Sequence, residues 1–179
     1  MCSHRHISNL ALVGFMATGK SAVGRLVARR LHFGFVDTDA LIEARLNKRV
    51  SEIFAEEGEL GFRNYERKLL QELSGVEQTV IATGGGLAAN EANLASLRQH
   101  ALIVCLWASP ETIWSRAQRH THRPLLQLPD PLTRIRQLLA ARSPFYHQAD
   151  VLLNTELRSV KIVADQVLQH FRLISRNSA

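Results

Sequence analysis

The chain of 179 residues has only two cysteines, Cys2 and Cys105. One is near the terminus and the other lies in an apolar, strand-like run, so neither a disulfide framework nor a metal site is implied. No apolar run approaches the ~20 residues that a membrane-spanning helix needs. The first apolar stretch contains a glycine-rich loop and is not typical of a signal peptide. These absences predict a cytoplasmic protein without a membrane partner.

Lysine and aromatic residues are also scarce. The formal net charge is +6, yet only four of the basic residues are lysines, at positions 20, 48, 68 and 161. The basic residues are scattered and have no aromatic partners arranged for stacking, so no nucleic-acid partner is expected. Arginine suits phosphate and carboxylate groups, which indicates small anionic ligands for part of this charge. Length and composition are typical of one domain over residues 1–179.

Residues 14–21 read Gly-Phe-Met-Ala-Thr-Gly-Lys-Ser and match the phosphate-loop pattern G-x-x-x-x-G-K-[ST]. An apolar run precedes them and an amphipathic run follows, which is the strand–loop–helix context of this motif. Gly14 and Gly19 let backbone N–H groups point at phosphate oxygens. Lys20 supplies a cation and the Ser21 hydroxyl can ligate Mg²⁺. Nucleoside triphosphate binding is therefore favoured over a glycine turn that only caps a helix.

Strand and helix patterns alternate along the whole chain. The predicted strands, nearly continuous apolar runs, are Asn9–Val13, Gly34–Asp37, Thr79–Thr83, Leu102–Leu106 and Val151–Asn154. The predicted helices are Lys20–Leu31, Ala40–Leu46, Ser51–Glu57, Arg63–Ser74, Ala89–His100, Pro110–His120, Pro131–Tyr146 and Glu156–Phe171. Alternation predicts a parallel α/β sheet with right-handed crossovers. The proline-rich segment His120–Pro131 is predicted to be a mobile loop between two helices.

Ligands of parallel sheets bind at the carboxyl ends of the strands. The first three predicted strands are followed by the phosphate loop, by Asp37-Thr38-Asp39 and by Thr83-Gly84-Gly85-Gly86. We expect these loops to face a common cleft. One aspartate can hold Mg²⁺ through its waters, and the other can accept a proton from an attacking hydroxyl. The alternative for Asp39 is a helix cap.

The run of three glycines indicates close approach of the backbone to a ligand, with its N–H groups meeting an anion or hydroxyls. A flexible turn is the alternative. Arg63 and Glu66, three residues apart, share a helix face, so Glu66 could orient Arg63. A surface ion pair accounts for the same spacing, and the residues alone do not decide between the two.

Four arginines surround or follow the proline-rich loop, namely Arg116, Arg119, Arg123 and Arg142. Arginines that close over a transferring phosphate stabilise its spread negative charge. At least one of the four is expected to be an ordinary solvated helix residue. A guanine-reading Asn-Lys-x-Asp is absent, because residues 47–50 read Asn-Lys-Arg-Val. No apolar strand ends in the acidic pair of motor ATPases, so a small-molecule kinase is favoured over a switch or a motor.

The ordered motifs resemble those of the shikimate kinases, from about Asn9 to Phe171. They are the phosphate loop, Asp37-x-Asp39, Phe62-Arg63-x-x-Glu66, Thr83-Gly84-Gly85-Gly86, Arg123-Pro124-Leu125-Leu126 and Arg142-x-Pro144-x-Tyr146. The resemblance implies a three-layer P-loop kinase fold with a five-stranded parallel sheet, helices on both faces and a mobile lid. It implies a substrate-binding region at about 38–75 and a lid at about 116–131. It also implies that ATP phosphorylates the 3-hydroxyl of shikimate, in the pathway to chorismate and the aromatic amino acids.

The resemblance also implies roles for individual residues. The catalytic residues would be Lys20, Asp39, which could be the base, and Arg123, which would close from the lid onto the phosphates. The ATP site would comprise Gly14, Ala17, Thr18, Gly19, Lys20, Ser21, Ala22, Arg116, Arg119 and Arg123, with Arg116 or its neighbour Arg119 near adenine. Mg²⁺ would lie at Ser21 and Asp37. Shikimate would contact Asp39, Arg63, Gly84, Gly85, Gly86 and Arg142.

Ala17-Thr18 stands where family members often have Gly-Ala, which allows a slightly different loop conformation. Two rival functions remain at this point. One is a kinase of another small polyol acid such as gluconate, against which Arg63, Arg142 and the three glycines argue. The other is a non-catalytic nucleotide-binding module, which should have lost Lys20, Asp39 or Arg123. A monomer that binds only small molecules is expected.

Overall fold

The centre of the fold is a sheet of five parallel strands. The computed structural model of the chain describes residues 5–118 and 129–177. In chain order the strands are β1 (Asn9–Val13), β2 (Gly34–Asp37), β3 (Thr79–Ala82), β4 (Ala101–Trp107) and β5 (Val151–Asn154). They lie in the order β2-β3-β1-β4-β5, and each neighbouring pair is parallel. All five predicted strands are confirmed, with bounds that differ by at most one residue.

Helices cover both faces of this sheet, which confirms the predicted three-layer fold. The helices of the described residues are α1 (Lys20–Leu31), α2 (Thr38–Leu46), α3 (Val50–Leu73), α4 (Glu91–His100), α5 (Pro110–Ala117), α6 (Pro131–Tyr146) and α7 (Val160–Asn177). Side chains of β1 alternate between the two layers. Leu10 and Leu12 pack with α1 and α7 through residues such as Val163. Ala11 and Val13 face the opposite core, which includes residues of α3 and α4.

Several helix boundaries differ from the prediction, most of all those of α3 and α7. The segments Ser51–Glu57 and Arg63–Ser74 both lie in α3, and the predicted break between them is present at Gly58, whose backbone is not helical (φ 71°, ψ −178°). A positive φ favours glycine, so the helical conformation is interrupted at this residue, and it resumes directly after it rather than at Arg63. Helix α7 begins at Val160 rather than Glu156. Leu157 has φ 52°, which interrupts a right-handed helix there.

The thiol of Cys105 lies in β4 and is fully buried. Burial raises its pKa to about 12, so it stays protonated near neutral pH. Among the described residues, no helix combines the length and the apolar character that crossing a membrane requires. Cys2 lies outside the described residues, as do most of the predicted lid and both Arg119 and Arg123.

Candidate active site

The phosphate loop connects β1 to α1 and depends on two glycines in unusual conformations. Gly14 has φ 129°, and a Cβ there would lie 2.2 Å from the carbonyl oxygen of Leu106 in β4. Gly19 has φ 94° and is the residue that caps α1. The Thr18 hydroxyl donates to the Phe15 carbonyl at 2.8 Å, which closes the loop on itself. The loop therefore ends with the N-terminus of α1 directed at whatever it encloses, as anion binding requires.

Lys20, the first residue of α1, lies over this loop. Its side chain is largely buried, and Nζ donates to the carbonyl oxygens of Gly14 at 2.8 Å and Phe15 at 2.7 Å. These bonds hold the ammonium group in the concave part of the loop. Ser21 and the exposed Ala22 follow in the first turn of the helix. A cation and several N–H groups thus converge on one small region.

Ala17 adopts a left-handed backbone conformation, with φ 60°. Glycine adopts this conformation freely, whereas for a residue with a Cβ it costs roughly 1–2 kcal/mol. The residue that departs from the family pattern is therefore at a strained position in the loop.

Replacing Ala17 with glycine should raise the stability of the protein. Relief of the strain outweighs the extra freedom of glycine in the unfolded chain, and we expect a net gain of about 0.5–1 kcal/mol. Thermal unfolding should show a melting temperature higher by about 2 °C. Ala95 is an exposed residue inside α4, so Ala95→Gly should instead lower stability. Equal changes in both variants would contradict the strain at Ala17.

Asp37 and Asp39 have different positions at the end of β2. Asp37 is the N-cap of α2, where one carboxylate oxygen accepts from the Ala40 amide at 3.3 Å. Its other oxygen accepts from the Ser21 hydroxyl at 2.5 Å. Asp39 lies in the first turn of α2, so the alternative that it caps the helix is wrong. The helix begins two residues earlier than predicted because the cap is Asp37.

Because each of the three glycines lacks a side chain, a different group of the site can lie close to its backbone. A Cβ on Gly84 would lie 2.2 Å from Oδ1 of Asp39, and one on Gly86 would lie 2.4 Å from Nη2 of Arg63. A Cβ on Gly85 would lie 3.2 Å from the Met16 amide of the phosphate loop. The glycine loop is thus in contact with the phosphate loop, an aspartate and an arginine. The three loops that were expected to face a common cleft lie next to one another.

The N–H groups of these glycines are not all available to a ligand. The Gly84 amide donates to the Thr38 hydroxyl at 2.8 Å, and Thr38 is fully buried. The N–H group of Gly84 is therefore bonded within the protein, and a contact of this residue with a ligand stays a prediction. The contribution of Gly84 is the absence of a side chain, which lets the Asp39 carboxylate lie against the loop.

Gly84→Ala should therefore reduce turnover by displacing the carboxylate of Asp39. The added Cβ cannot remain 2.2 Å from Oδ1, so the carboxylate must move. Because small misplacements of a reacting group are costly, we expect kcat to fall by about tenfold. Gly75→Ala is the matched control, since the nearest atom to its Cβ would be a carbonyl oxygen 3.8 Å away. Unchanged kcat in a folded Gly84→Ala variant would show that this contact is unimportant.

Arg63 is held between two carboxylates of its own helix. Nη1 donates to Oε2 of Glu66 at 2.6 Å, and Nη2 donates to Glu59 at 2.7 Å. The Glu66 side chain is fully buried, so the surface ion pair is the wrong interpretation. Burial raises the pKa of Glu66, although the hydrogen bond from Arg63 and its charge oppose that shift. Glu66 therefore orients Arg63 over Gly86.

Arg142 of α6 also contacts the glycine loop. Its Nη1 donates to the Gly85 carbonyl at 3.0 Å, and its guanidinium lies 5.3 Å from the centre of the Phe15 ring. The Tyr146 hydroxyl donates to the same carbonyl at 2.9 Å. Two arginines from different helices thus flank the glycine loop that Asp39 also contacts.

Arg116 lies at the outer end of the phosphate loop. It donates to the Thr155 hydroxyl at 2.9 Å and to the Thr155 carbonyl at 2.6 Å, and its Nη1 is 3.5 Å from the Ala17 carbonyl. The loop after β5 is also fixed by Glu156, which accepts from the Ser109 amide at 2.8 Å. Arg119, the other candidate for a contact with adenine, lies outside the described residues.

Four residues of the site were given no role in the sequence analysis, although Tyr146 belongs to the motif Arg142-x-Pro144-x-Tyr146. They are Thr38, Glu59, Tyr146 and Glu156. Glu59 had a usable signal, because it lies four residues before Arg63 on a helix face. Tyr146 had a weaker signal, since it lies one helical turn after Arg142 on α6. The pairings of Thr38 and Glu156 join elements far apart in sequence and leave no periodic pattern.

The chain is similar to known proteins in both sequence and structure. The family model "SKI: Shikimate kinase" matches residues 16–172. A shikimate kinase of Symbiobacterium thermophilum is 46% identical over 164 residues, which are 90% of this chain and 94% of that protein. A shikimate kinase of Acinetobacter baumannii, solved in complex with shikimate, has a TM-score of 0.89 and 35% identity, with 96% of both chains covered.

A more distant likeness concerns the fold alone. A gluconokinase of Sinorhizobium meliloti has a TM-score of 0.66 at 15% identity, with 97% of both chains covered. The family model, the sequence relative and the structure that is 35% identical all agree over nearly the whole chain. This chain therefore belongs to the shikimate kinase family.

Proposed function

We propose that this chain transfers the terminal phosphoryl group of ATP to the 3-hydroxyl of shikimate, giving shikimate 3-phosphate and ADP. The observation that carries the proposal is that three groups of the site lie against the three glycines. Asp39 lies against Gly84, the phosphate loop against Gly85 and Arg63 against Gly86. A phosphate site, a carboxylate and a carboxylate-binding arginine are thus adjacent, as transfer between a nucleotide and an acidic polyol requires.

The nucleotide is assigned to the phosphate loop and the N-terminus of α1. Gly14, Thr18 and Gly19 shape the loop, and Lys20 supplies its positive charge. Phosphoryl transfer needs alignment and charge neutralisation more than covalent help from the protein. Arg116 lies at the open end of the loop, where we place the base of the nucleotide.

Mg²⁺ fits the hydroxyl and carboxylate that lie side by side beyond the loop. The hydroxyl oxygen of Ser21 and Oδ2 of Asp37 are 2.5 Å apart, and both are hard oxygen ligands. Mg²⁺ favours one or two such groups together with substrate phosphates and its own waters. When bound, the ion offsets the charge of the phosphate oxygens. Asp37 keeps Ser21 oriented and caps α2, which fixes the start of the helix that carries Asp39.

The acid substrate is assigned to the space between Arg63 and Arg142. Arginine binds a carboxylate through two parallel N–H groups, which fixes the orientation of the ring as well as its position. Glu66 is buried beside Arg63 and prevents it from turning away. We also assign residues 38–75 as the substrate-binding region, since they contain both Asp39 and Arg63.

Asp39 is assigned the reacting hydroxyl. Its carboxylate would accept the proton of that hydroxyl as the oxygen attacks phosphorus, and the bond from phosphorus to the leaving ADP oxygen breaks. Asp39 and Glu66 are close enough to influence each other electrostatically, whereas Arg63 and Arg142 supply compensating charge. We retain Arg123 as the lid residue that closes on the phosphates, with residues 116–131 as the lid and the whole chain as one kinase domain.

The assignment is tested by ADP release from MgATP with shikimate and, in parallel, with gluconate. ADP release should depend on shikimate and on Mg²⁺, and gluconate should give no more than the ATP-only background. Turnover with gluconate alone would favour the rival polyol kinase. The absence of turnover with either acid, together with tight ATP binding, would favour the non-catalytic nucleotide-binding module.

A further inference from the structure

The carbonyl oxygen of Gly85 accepts two hydrogen bonds from one face of α6. Nη1 of Arg142 lies 3.0 Å away and the Tyr146 hydroxyl lies 2.9 Å away. A carbonyl oxygen has two lone pairs, so both are used. Gly85 in turn packs against the backbone of the phosphate loop at Met16. One peptide group therefore links α6, the glycine loop and the phosphate loop.

The two donors differ in what else they can do. Arg142 is partly exposed, carries five N–H groups and faces the space assigned to the acid substrate. Tyr146 has a single O–H group and is only 6% exposed. Burial raises the pKa of Tyr146 to about 12, so the hydroxyl keeps its proton over the whole range of a kinase assay. Only Arg142 can be drawn toward a bound carboxylate.

We propose that Tyr146 is a positioning residue that keeps the Gly85 carbonyl hydrogen-bonded, so that Arg142 is released to bind the carboxylate of the acid substrate. The inference rests on the proposed function, because it assigns Arg142 to that carboxylate. It concerns a residue that itself touches neither substrate. Without the Tyr146 hydroxyl, Arg142 is the remaining side-chain donor to this carbonyl among the residues that the structure describes, and its departure would leave the oxygen without such a donor.

The expected effect follows from the cost of leaving the partly buried carbonyl oxygen of Gly85 without a side-chain donor. That cost corresponds to roughly threefold to tenfold in a binding constant. Tyr146→Phe removes one oxygen and keeps the ring, so the packing of α6 is retained. We expect the KM for shikimate to rise by about that factor. We expect kcat to stay within about threefold and the KM for MgATP to be unchanged.

A matched control removes a hydroxyl from the same helix, one whose partner is not Gly85. The Ser143 hydroxyl lies 3.1 Å from Nδ1 of His147, one helical turn further along the chain. Ser143→Ala should leave all three constants unchanged. An effect of Tyr146→Phe no larger than that of Ser143→Ala would overturn the proposal.

A double-mutant comparison separates positioning from general loosening of the structure. In an Arg142→Ala background there is no Arg142 side chain that the Gly85 carbonyl could keep from the substrate. Adding Tyr146→Phe should therefore not weaken shikimate binding further. The same loss in both backgrounds would mean that Tyr146 acts independently of Arg142, which would overturn the proposal. A parallel rise in the KM for MgATP would do the same, because it would indicate a distorted phosphate loop.

A measurement on the unaltered protein covers the case in which Tyr146→Phe does not fold. Labelling with 3-fluorotyrosine gives two fluorine resonances, and Tyr65→Phe identifies that of Tyr146. This resonance should shift when shikimate is added, because Arg142 leaves the carbonyl that Tyr146 shares. An unmoved resonance would count against the proposal. If the unaltered protein shows no shikimate-dependent ADP release, the proposed function fails. If the unaltered protein is active and Tyr146→Phe has the same constants, only this inference fails.

Discussion

Asp39→Asn is expected to lower kcat by about 10²–10⁴-fold, the range for loss of a positioned general base. Asparagine has nearly the same shape, so the close approach to Gly84 is retained, but its amide cannot accept a proton. The N-cap of α2 is Asp37, so this exchange does not touch the cap. The variant therefore tests chemistry rather than helix stability. The measurement is kcat from ADP release at saturating MgATP and shikimate.

The control for this variant is Asp165→Asn. Asp165 lies on α7 and pairs with Arg30, remote from the glycine loop. It should have the turnover of the unaltered protein. Circular dichroism and thermal unfolding should show that both variants are folded. If Asp39→Asn kept more than a tenth of the original kcat, Asp39 would be at most an orienting group for the hydroxyl.

Lys20→Ala is expected to lower kcat by about 10²–10³-fold, as for the loss of one preorganised group that stabilises charge in the transition state. Lys20 is the cation that the structure holds inside the phosphate loop, at 2.8 Å from the Gly14 carbonyl and 2.7 Å from the Phe15 carbonyl. Its removal deprives the developing charge on the phosphoryl oxygens of a fixed partner. Some loss of stability is also expected, because two loop carbonyls lose a donor.

Lys161→Ala is the matched control for Lys20→Ala. Lys161 is exposed in the first turn of α7, outside the regions assigned to the nucleotide and the acid substrate. Exposed substitutions of this kind have little effect, so neither activity nor stability should change appreciably. Nearly normal turnover in a folded Lys20→Ala variant would show that the loop binds a nucleotide without acting on it.

The central strands β1, β3 and β4 were predictable because their side chains are almost all buried on both faces, whereas the edge strands β2 and β5 are only partly buried. Leu10, Leu12 and Val13 are completely buried, and short, continuous apolar runs of this kind are typical of strands in a covered parallel sheet. The loops that follow β1, β2 and β3 could be placed at one edge of the sheet for the same reason. Parallel strands bring their carboxyl ends together whatever the helices between them do.

The helix boundaries and caps were less predictable. Both aspartates of Asp37-Thr38-Asp39 are acceptable caps, and only the backbone conformation selects Asp37. The break after Glu57 was predicted, but the helix resumes directly after Gly58 rather than at Arg63. Local preference alone could not decide where these helices begin.

The pairings around the three glycines depend on contacts between distant parts of the chain. The three consecutive glycines predict that some group lies close to their backbone. The identity of that group could not be predicted, because Gly84 contacts Asp39 and Gly86 contacts Arg63 only after β2 and β3 pair. The same holds for Gly85, which α6 reaches from 57 residues away through Arg142.

The transfer of phosphate to one hydroxyl of shikimate is tested most directly by identifying the product. The chain, MgATP and shikimate are incubated together, and the product is examined by proton–phosphorus correlation NMR. A phosphorus signal coupled to the proton on carbon 3 of the ring is the expected result. A phosphate on another hydroxyl, or inorganic phosphate as the only new phosphorus species besides ADP, would contradict the proposed function.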